Sequence, residues 1–212
     1  MNELGLRDRK VAESRLRTEC AAIDLCLEHG YDAVTVDMIC DAAEISARTF
    51  YNYFGTRESA LLGEGKPIPT EVAIEEYIAR AQGSEVEEFA TLIAQTYLGA
   101  GPNRDLVRKR RELLDQAPEL ASLNFVRMTE ARGNYVEIVK RRIAVTEPEL
   151  LKDAQASTAE LVVAVTMGAM QVVGRGWLHG HSDLDLREYL VDAFATIRHI
   201  TQVPRPRGEI NS

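Results

Sequence analysis

The side chains with the clearest chemical potential lie close together in one short polar and aromatic stretch. Arg48 and Asn52 stand four residues apart. These side-chain types make paired hydrogen bonds to guanine and adenine edges in the major groove of DNA. Thr49, Tyr51 and Tyr53 add hydroxyl groups, which suit phosphate oxygens and position a protein on DNA without reading its sequence. The stretch therefore predicts contact with nucleic acid.

Two short helices are predicted to position these side chains. Thr35 is suited to cap the first helix and Ser46 the second, because a hydroxyl oxygen at that position accepts a hydrogen bond from the free N–H groups of the first turn. The short turn between them contains the apolar Ile45. Phe50 and Phe54 fall on one face of the second helix and would anchor it to the first. This pattern predicts a helix-turn-helix whose second helix is the recognition helix.

A competing interpretation makes the aromatic residues of this stretch ordinary core residues. The chain contains five Phe and seven Tyr, and four of these fall within five consecutive positions. Tyr51 and Tyr53 alternate with Phe50 and Phe54, so the aromatic residues cannot all point to one face. A tyrosine-rich outer face favours the DNA interpretation.

The overall charge is the main objection to DNA binding. Among 212 residues, 33 are acidic and 25 basic, which gives a formal net charge of −8. An acidic surface repels a polyphosphate. However, Gly5–Thr18 contains five bases against two acids, and Ser46–Arg57 contains two bases and no acid. The net charge therefore predicts weak non-specific affinity rather than no affinity.

The composition and periodicity indicate an all-α protein. Hydrophobic residues make up 45% of the chain and charged residues 27%, as in ordinary globular proteins. Helical periodicity extends almost throughout, whereas the alternation typical of strands is nearly absent. The first helix is predicted from about Asp8 to Glu28, ending at Gly30. The later helices are predicted at Glu71–Arg80, Val86–Leu98, Arg104–Leu114, Pro118–Ala144, Glu147–Leu178 and Asp183–His199, with Asn103, Thr146 and Ser182 as N-caps.

A break at Gly63–Thr70 divides the chain into two predicted domains. Two glycines and two prolines in this segment interrupt any helix. Residues 1–62 form the predicted helix-turn-helix domain. Residues 63–202 form a larger helical domain, and residues 203–212 a frayed tail.

Neither catalysis nor metal binding is indicated. The three cysteines, Cys20, Cys26 and Cys40, form no CxxC pair and fall on apolar helical positions, so core packing is expected. His179 and His181 have no neighbouring carboxylate cluster to complete a metal site. The sequence contains no phosphate-binding loop, nucleophile elbow or HExxH helix. We therefore expect no cofactor and no enzyme activity, although an all-α enzyme with an unmarked site remains an alternative.

Membrane insertion is not expected either. The most apolar run, Leu161–Val173, is 13 residues long, which is too short for a bilayer span and suits a buried helix. The first ten residues are polar and lack the apolar core of a secretory signal. The expected location is the cytoplasm.

The segment from Gly30 to Glu58 resembles the DNA-binding domain of TetR-family transcriptional regulators. The resemblance rests on Gly-Tyr after the first helix, then Thr-Val, Ala-Ala, a capping Ser, Thr-Phe-Tyr, and a Phe before a basic-acidic pair. It departs at Glu44, where the family usually has glycine in the turn. The resemblance implies a dimer on a palindromic double-stranded operator, most often as a repressor. It also implies DNA contacts at Thr35, Ser46, Ala47, Arg48, Thr49, Tyr51, Asn52, Tyr53 and Arg57.

The second domain is predicted to bind an effector and to dimerise. Methionine-rich apolar walls adapt to varied ligands, which predicts a small apolar or amphipathic effector. The predicted pocket residues are Phe89, Tyr97, Phe125, Met128, Met167, Met170 and Trp177. By resemblance, dimerisation falls to the last two helices, with Ala164, Gly168, Val172, Leu190, Phe194 and Ile197 at the interface.

Two points stay open at this level. A TetR-like architectural or adaptor protein that binds no small molecule fits the same sequence. The basic run Arg108–Arg111 would serve an anionic effector or the DNA backbone, although a solvated helix face is the commoner case for such a run.

Overall fold

The computed structural model describes residues 5–63, 68–80, 84–99, 101 and 103–179, together with residues 188, 189, 192, 193, 195 and 196. All regular structure in these ranges is helical. The all-α prediction is confirmed.

Nine α-helices lie within the described ranges, and most begin and end within two residues of the predicted bounds. The main exception is the last of them, which begins at Lys152 rather than Glu147 because the segment around Pro148 forms a turn. The predicted helix Asp183–His199 lies largely outside the described residues. The bounds are α1 Leu6–His29, α2 Val36–Ala43, α3 Ala47–Phe54, α4 Arg57–Leu62, α5 Glu71–Ala79, α6 Glu85–Gly99, α7 Arg104–Gln116, α8 Pro118–Thr146 and α9 Lys152–His179, with a 3-10 turn at Tyr31–Ala33.

The predicted caps of the later helices had different outcomes. Asn103 caps α7, since its Oδ1 accepts a hydrogen bond from the Leu106 N–H at 3.0 Å. The prediction for Thr146 was wrong: this residue lies in the last turn of α8, where its hydroxyl donates to the Arg142 carbonyl at 3.2 Å. Ser182 lies outside the described residues.

The chain divides into two compact units, and the division differs from the predicted one. The first unit comprises Met1–Pro67 and Pro102–Ala131, and the second comprises Ile68–Gly101 and Arg132–Ser212. Residues 102–131 pack with the helix-turn-helix because the apolar side of α7 and the start of α8 complete its core. Leu106, Leu113 and Leu120 are buried there in one cluster with helix-turn-helix residues.

The cysteines lie in or beside this first core. Cys26 and Cys40 are buried, and Cys20 is half-buried. Burial raises the pKa of all three thiols, which keeps them protonated and poorly nucleophilic. Within the described ranges, no group of three or more His, Cys, Asp or Glu residues is arranged to hold a metal ion.

The second unit has an aromatic centre. The Phe89 ring lies 6.0 Å from the Tyr77 ring and 5.9 Å from the Tyr135 ring, and all three side chains are buried. Helix α9 contributes one buried side to this unit, including Ala159, Val163 and Thr166. Its opposite side is exposed, which departs from the expectation of a buried helix.

Candidate nucleic-acid interface

Both helices of the helix-turn-helix have an N-cap residue with a side-chain hydroxyl group. Thr35 Oγ1 accepts a hydrogen bond from the Met38 N–H at 3.3 Å, at the start of α2. Ser46 Oγ accepts from the Thr49 N–H at 3.1 Å, at the start of α3. Each cap satisfies a backbone donor that the helix itself leaves unpaired. The cap positions read from the sequence are therefore confirmed.

The turn between α2 and α3 keeps a tight geometry despite the absence of glycine. Glu44 adopts the left-handed conformation, with φ 54° and ψ 46°. The Ile45 N–H then donates to the Cys40 carbonyl at 3.0 Å, which closes the end of α2. A side chain in this conformation costs about 1 kcal/mol, so Glu44 takes up strain that glycine would avoid.

The inner face of α3 is held by its two phenylalanines. Phe50 is completely buried, and its ring lies 5.4 Å from that of the half-buried Phe54. Both pack against the core that contains Ile39 and Cys40 of α2. The predicted anchoring of α3 to α2 agrees with this packing.

The outer face of α3 is polar and open. Ala47, Arg48, Tyr51 and Asn52 are exposed, with Tyr51 exposing 54% of its surface. Arg48 and Asn52 form no hydrogen bond or ion pair within the described part of the chain. Residues 48 and 52 share one helix face, so an arginine and an amide project side by side with their donors unused. Thr49 and Tyr53 flank this face and are half-buried.

Helix α1 supports both helices through two arginines that the sequence analysis did not single out. The Arg15 guanidinium lies over the rings of Tyr53 and Phe54, 5.9 and 5.3 Å from their centroids. Arg17 Nε donates to the Ala43 carbonyl at the end of α2, at 3.1 Å. The clustering of bases in this part of α1 was visible in the sequence, but their partners were not. These contacts hold the recognition helix and the turn against α1.

Arg57 has partners inside the first unit that the sequence did not indicate. Its Nη1 donates to the Tyr31 and Val34 carbonyls at 3.0 and 2.7 Å, and its Nε pairs with Glu58 at 3.1 Å. The guanidinium also lies 4.3 Å from the centroid of the Tyr31 ring. Burial opposes ionisation of Glu58, but a backbone hydrogen bond and Arg57 outweigh it, so the pKa of Glu58 lies below its ordinary value. The internal partners make Arg57 a link between the 3-10 turn and α4, and its contact with DNA phosphate stays a prediction.

Replacing Arg57 by alanine is expected to lower the free energy of unfolding by about 2 kcal/mol, because two part-buried carbonyls lose a charged donor. Arg57→Lys is expected to lose most of the same stability. An ammonium group lacks the planar arrangement of N–H donors with which the guanidinium bonds the two carbonyls and Glu58. Urea unfolding measures both effects. If Arg57→Ala unfolds like the wild type but loses affinity for DNA, Arg57 contacts DNA phosphate and its internal bonds contribute little to stability.

The basic run of α7 is also engaged inside the first unit. Arg108 pairs with Asp105 at 2.6 Å, Lys109 with Asp24 at 2.9 Å, and Arg110 with Glu19 at 2.7 Å. Arg110 Nε also donates to the Leu61 carbonyl at 2.7 Å. Arg127 adds a bond to the Gly63 carbonyl at 2.9 Å. Lys109 and Arg110 therefore fasten α7 to α1 and to the end of α4, whereas Arg108 stays at the solvated face that was the commoner expectation and pairs within α7.

The predicted effector residues are only partly brought together. Phe89 and Trp177 are buried in the second unit, where Tyr97, Met167 and Met170 are half-buried. Phe125 exposes 72% of its surface and belongs to the first unit, as does the half-buried Met128. Including Phe125 in an enclosed pocket was wrong, because its side of α8 is exposed. A cleft of about 580 Å³ lies instead between residues 29–33 and 116–119, and none of the predicted residues lines it.

The predicted dimer residues on α9 lie on its exposed side. Ala164 and Gly168 are exposed, and Val172 exposes 59% of its surface. Leu161 and Val165 extend the same stripe with 66% and 44% exposed. Leu190, Phe194 and Ile197 lie outside the described residues. Helix α9 is also long and apolar enough to span a membrane. The core helices of soluble proteins can have the same length and composition, so this is weak evidence for a membrane helix.

Two sequence comparisons found similar proteins. Residues 21–62 match the family model of bacterial regulatory proteins, tetR family. The chain is 26% identical over 196 residues to the HTH-type transcriptional regulator TcmR of Streptomyces glaucescens, covering 87% of this chain and 82% of that protein.

Two solved structures are similar in fold. A putative TetR-family transcriptional regulator from Syntrophomonas wolfei has a TM-score of 0.50 at 15% identity, covering 94% of this chain and 99% of that one. Thermus thermophilus FadR, a TetR-family transcriptional repressor in complex with lauroyl-CoA, has a TM-score of 0.47 at 22% identity, covering 93% and 100%. At 15% identity, the likeness to the regulator from Syntrophomonas wolfei concerns the fold alone.

Proposed function

We propose that the chain is a TetR-family transcriptional regulator whose dimer represses transcription by binding a palindromic operator and leaves it when a small molecule binds. The observation that carries the DNA-binding part is the outer face of α3, where Arg48 and Asn52 are exposed on a helix capped by Ser46 and donate no hydrogen bond to any described residue. The proposal places the protein in the cytoplasm, together with its DNA.

The proposed contacts fall into two groups. Arg48 and Asn52 read base edges in the major groove, and Ala47 permits close approach of the helix start. Hydroxyl groups on α3 and at the start of α2 contact phosphates and set the orientation on the duplex. This second group comprises Thr35, Ser46, Thr49, Tyr51 and Tyr53.

Dimerisation through the exposed side of α9 is part of the proposal. A single short recognition helix reads few base pairs, so useful specificity needs two half-sites about 34–36 Å apart or a multiple of that distance. The stripe from Leu161 to Val172 is apolar and contains the small residues Ala164 and Gly168, which allow two helices to approach closely. A second copy of the chain would cover this stripe.

The effector is proposed to bind in the second unit. Phe89, Met167, Met170 and Trp177 supply an apolar and adaptable lining there, which suits a small apolar or amphipathic molecule. Such a molecule lowers operator affinity if it binds more tightly to a dimer whose recognition helices are misplaced for the half-sites.

The test is selection of duplexes from a random DNA library by the purified full-length protein. We expect a palindrome, bound with an affinity that falls steeply as salt concentration rises. Recovery of no preferred sequence, or binding that salt does not affect, would refute the DNA-binding part. A thermal-shift screen of metabolites, followed by release of the selected palindrome, then tests the effector.

An architectural or adaptor role without an effector is the alternative function. Phe125, one of the predicted pocket residues, exposes 72% of its surface rather than lining an enclosed cavity. If the protein binds its palindrome but no apolar metabolite stabilises the fold or releases the DNA, an architectural or adaptor role is the better description.

A further inference from the structure

The start of α1 carries basic side chains that form no ion pair with the residues that the structure describes. Residues 7–13 are all exposed, so none of these seven residues packs into a core. Arg7, Arg9 and Lys10 lie in these turns and form no ion pair within the described part of the chain. The bases of α7 in the same unit are, in contrast, largely paired with carboxylates. Water solvates these exposed bases in the free protein, and their positive charge is available to an external anion.

The direction of these side chains follows from helix geometry. At about 100° per residue, Arg7, Lys10 and Arg17 fall on one side of α1, at spacings of three and seven residues. Arg17 is bonded to the Ala43 carbonyl at the end of α2, next to the turn that leads into α3. Arg7 also falls midway in angle between Arg17 and Arg15, which lies over Tyr53 of α3. Arg7 and Lys10 therefore project from the side of α1 that faces the helix-turn-helix, whereas Arg9 projects from the opposite side.

The distance of Lys10 and Arg7 from the turn is also suitable for contact with the DNA backbone beside the half-site. Lys10 and Arg7 lie seven and ten residues before Arg17, or about 10 and 15 Å along the axis at 1.5 Å per residue. A duplex read by α3 continues beyond the base pairs in contact with that helix, and it carries one phosphate per about 1.7 Å of axis. Side chains at this distance from the turn meet the flanking backbone rather than the bases that α3 reads.

We propose that the start of α1 is a second DNA-contact surface, in which Arg7 and Lys10 bind phosphates that flank the half-site read by α3. This inference rests on the proposed operator binding and adds to it a non-sequence-specific source of affinity. It also explains how a chain of net charge −8 holds DNA, since bases outnumber acids at the contact surface although acids outnumber bases in the whole chain.

The experiment compares the double variant Arg7→Ala/Lys10→Ala with Arg9→Ala in the full-length protein. Each is titrated at several salt concentrations with the duplex selected by the wild type and with a scrambled duplex of equal length. Loss of two phosphate contacts per subunit is expected to reduce the slope of log K against log salt by about 1.8 per bound subunit. Both duplexes are expected to lose affinity by a similar factor, and Arg9→Ala to retain the wild-type slope.

The outcomes separate this inference from the proposed function. If the wild type shows salt-dependent binding and the double variant keeps the same slope, the second contact surface is refuted while operator binding stands. An equal reduction of the salt slope in Arg9→Ala would also refute it. The slope would then depend on the positive charge alone and not on the side of α1 from which the side chain projects. If the wild type itself shows no salt-dependent binding, the proposed function fails first. Thermal melting of both variants checks that the exposed substitutions leave the fold intact.

Discussion

Replacing Arg48 by alanine is expected to reduce affinity for the selected operator about 10- to 100-fold, while affinity for unrelated DNA changes little. Arg48 is exposed on the outer face of α3 and has no partner within the described residues. A bidentate arginine–guanine contact contributes about 1–3 kcal/mol of discrimination against the wrong base. The loss should appear as relaxed preference at one position of each half-site.

A lysine at the same position provides the matched control. Arg48→Lys keeps the charge but loses the planar fork, so it is expected to retain non-specific affinity and to lose most of the base preference. Selection of sequences by each variant from the same random library measures both properties. If Arg48→Ala weakens all duplexes equally and leaves the selected sequence unchanged, Arg48 contacts phosphate and the base-reading role passes to other residues of α3.

Removal of the Arg142 side chain is expected to cause the largest loss of stability, about 3–5 kcal/mol. Arg142 is only 1% exposed, and its Nε bonds both Glu85 carboxylate oxygens at 3.1 and 3.0 Å. Its Nη1 donates to the Tyr77 carbonyl, and the guanidinium lies 4.7 Å from the centroid of the Tyr77 ring. In Arg142→Ala, the carboxylate and the carbonyl lose their donor where little water can replace it. Urea unfolding followed by circular dichroism measures the effect.

The neighbouring Arg141 is the natural control, because it has a similar ion pair at the surface. It bonds Glu71 at 2.8 Å, but its side chain is 47% exposed. Such pairs contribute about 0–1 kcal/mol, so Arg141→Ala should unfold almost like the wild type. The double variant Arg142→Met/Glu85→Leu is expected to recover much of the stability lost by Arg142→Ala, since neither charge is then left alone. Equal stability of Arg142→Ala and Arg141→Ala would contradict this account.

Local patterns in the sequence were enough to predict the helix-turn-helix and the exposed face of α3. Caps such as Thr35 and Ser46 act on backbone groups three residues away, and the alternation of Phe50 and Phe54 with polar residues depends only on helix periodicity. Such interactions join residues that are close together in the sequence, so residue types and their spacing specify them. The all-α class and most helix bounds follow for the same reason.

Contacts between distant segments depended on the tertiary structure. Arg57 and Arg110 look like available cations in the sequence, yet their partners Val34 and Glu19 lie 23 and 91 positions away and occupy them in the folded unit. The addition of α7 to the first core, and the exposure of Phe125, have the same origin. An amphipathic pattern shows that a helix has an apolar side, but it does not say which helices that side meets. The sequence by itself therefore indicated which side chains were suited to read DNA, and only the packing of distant helices showed which basic residues remain available to hold it.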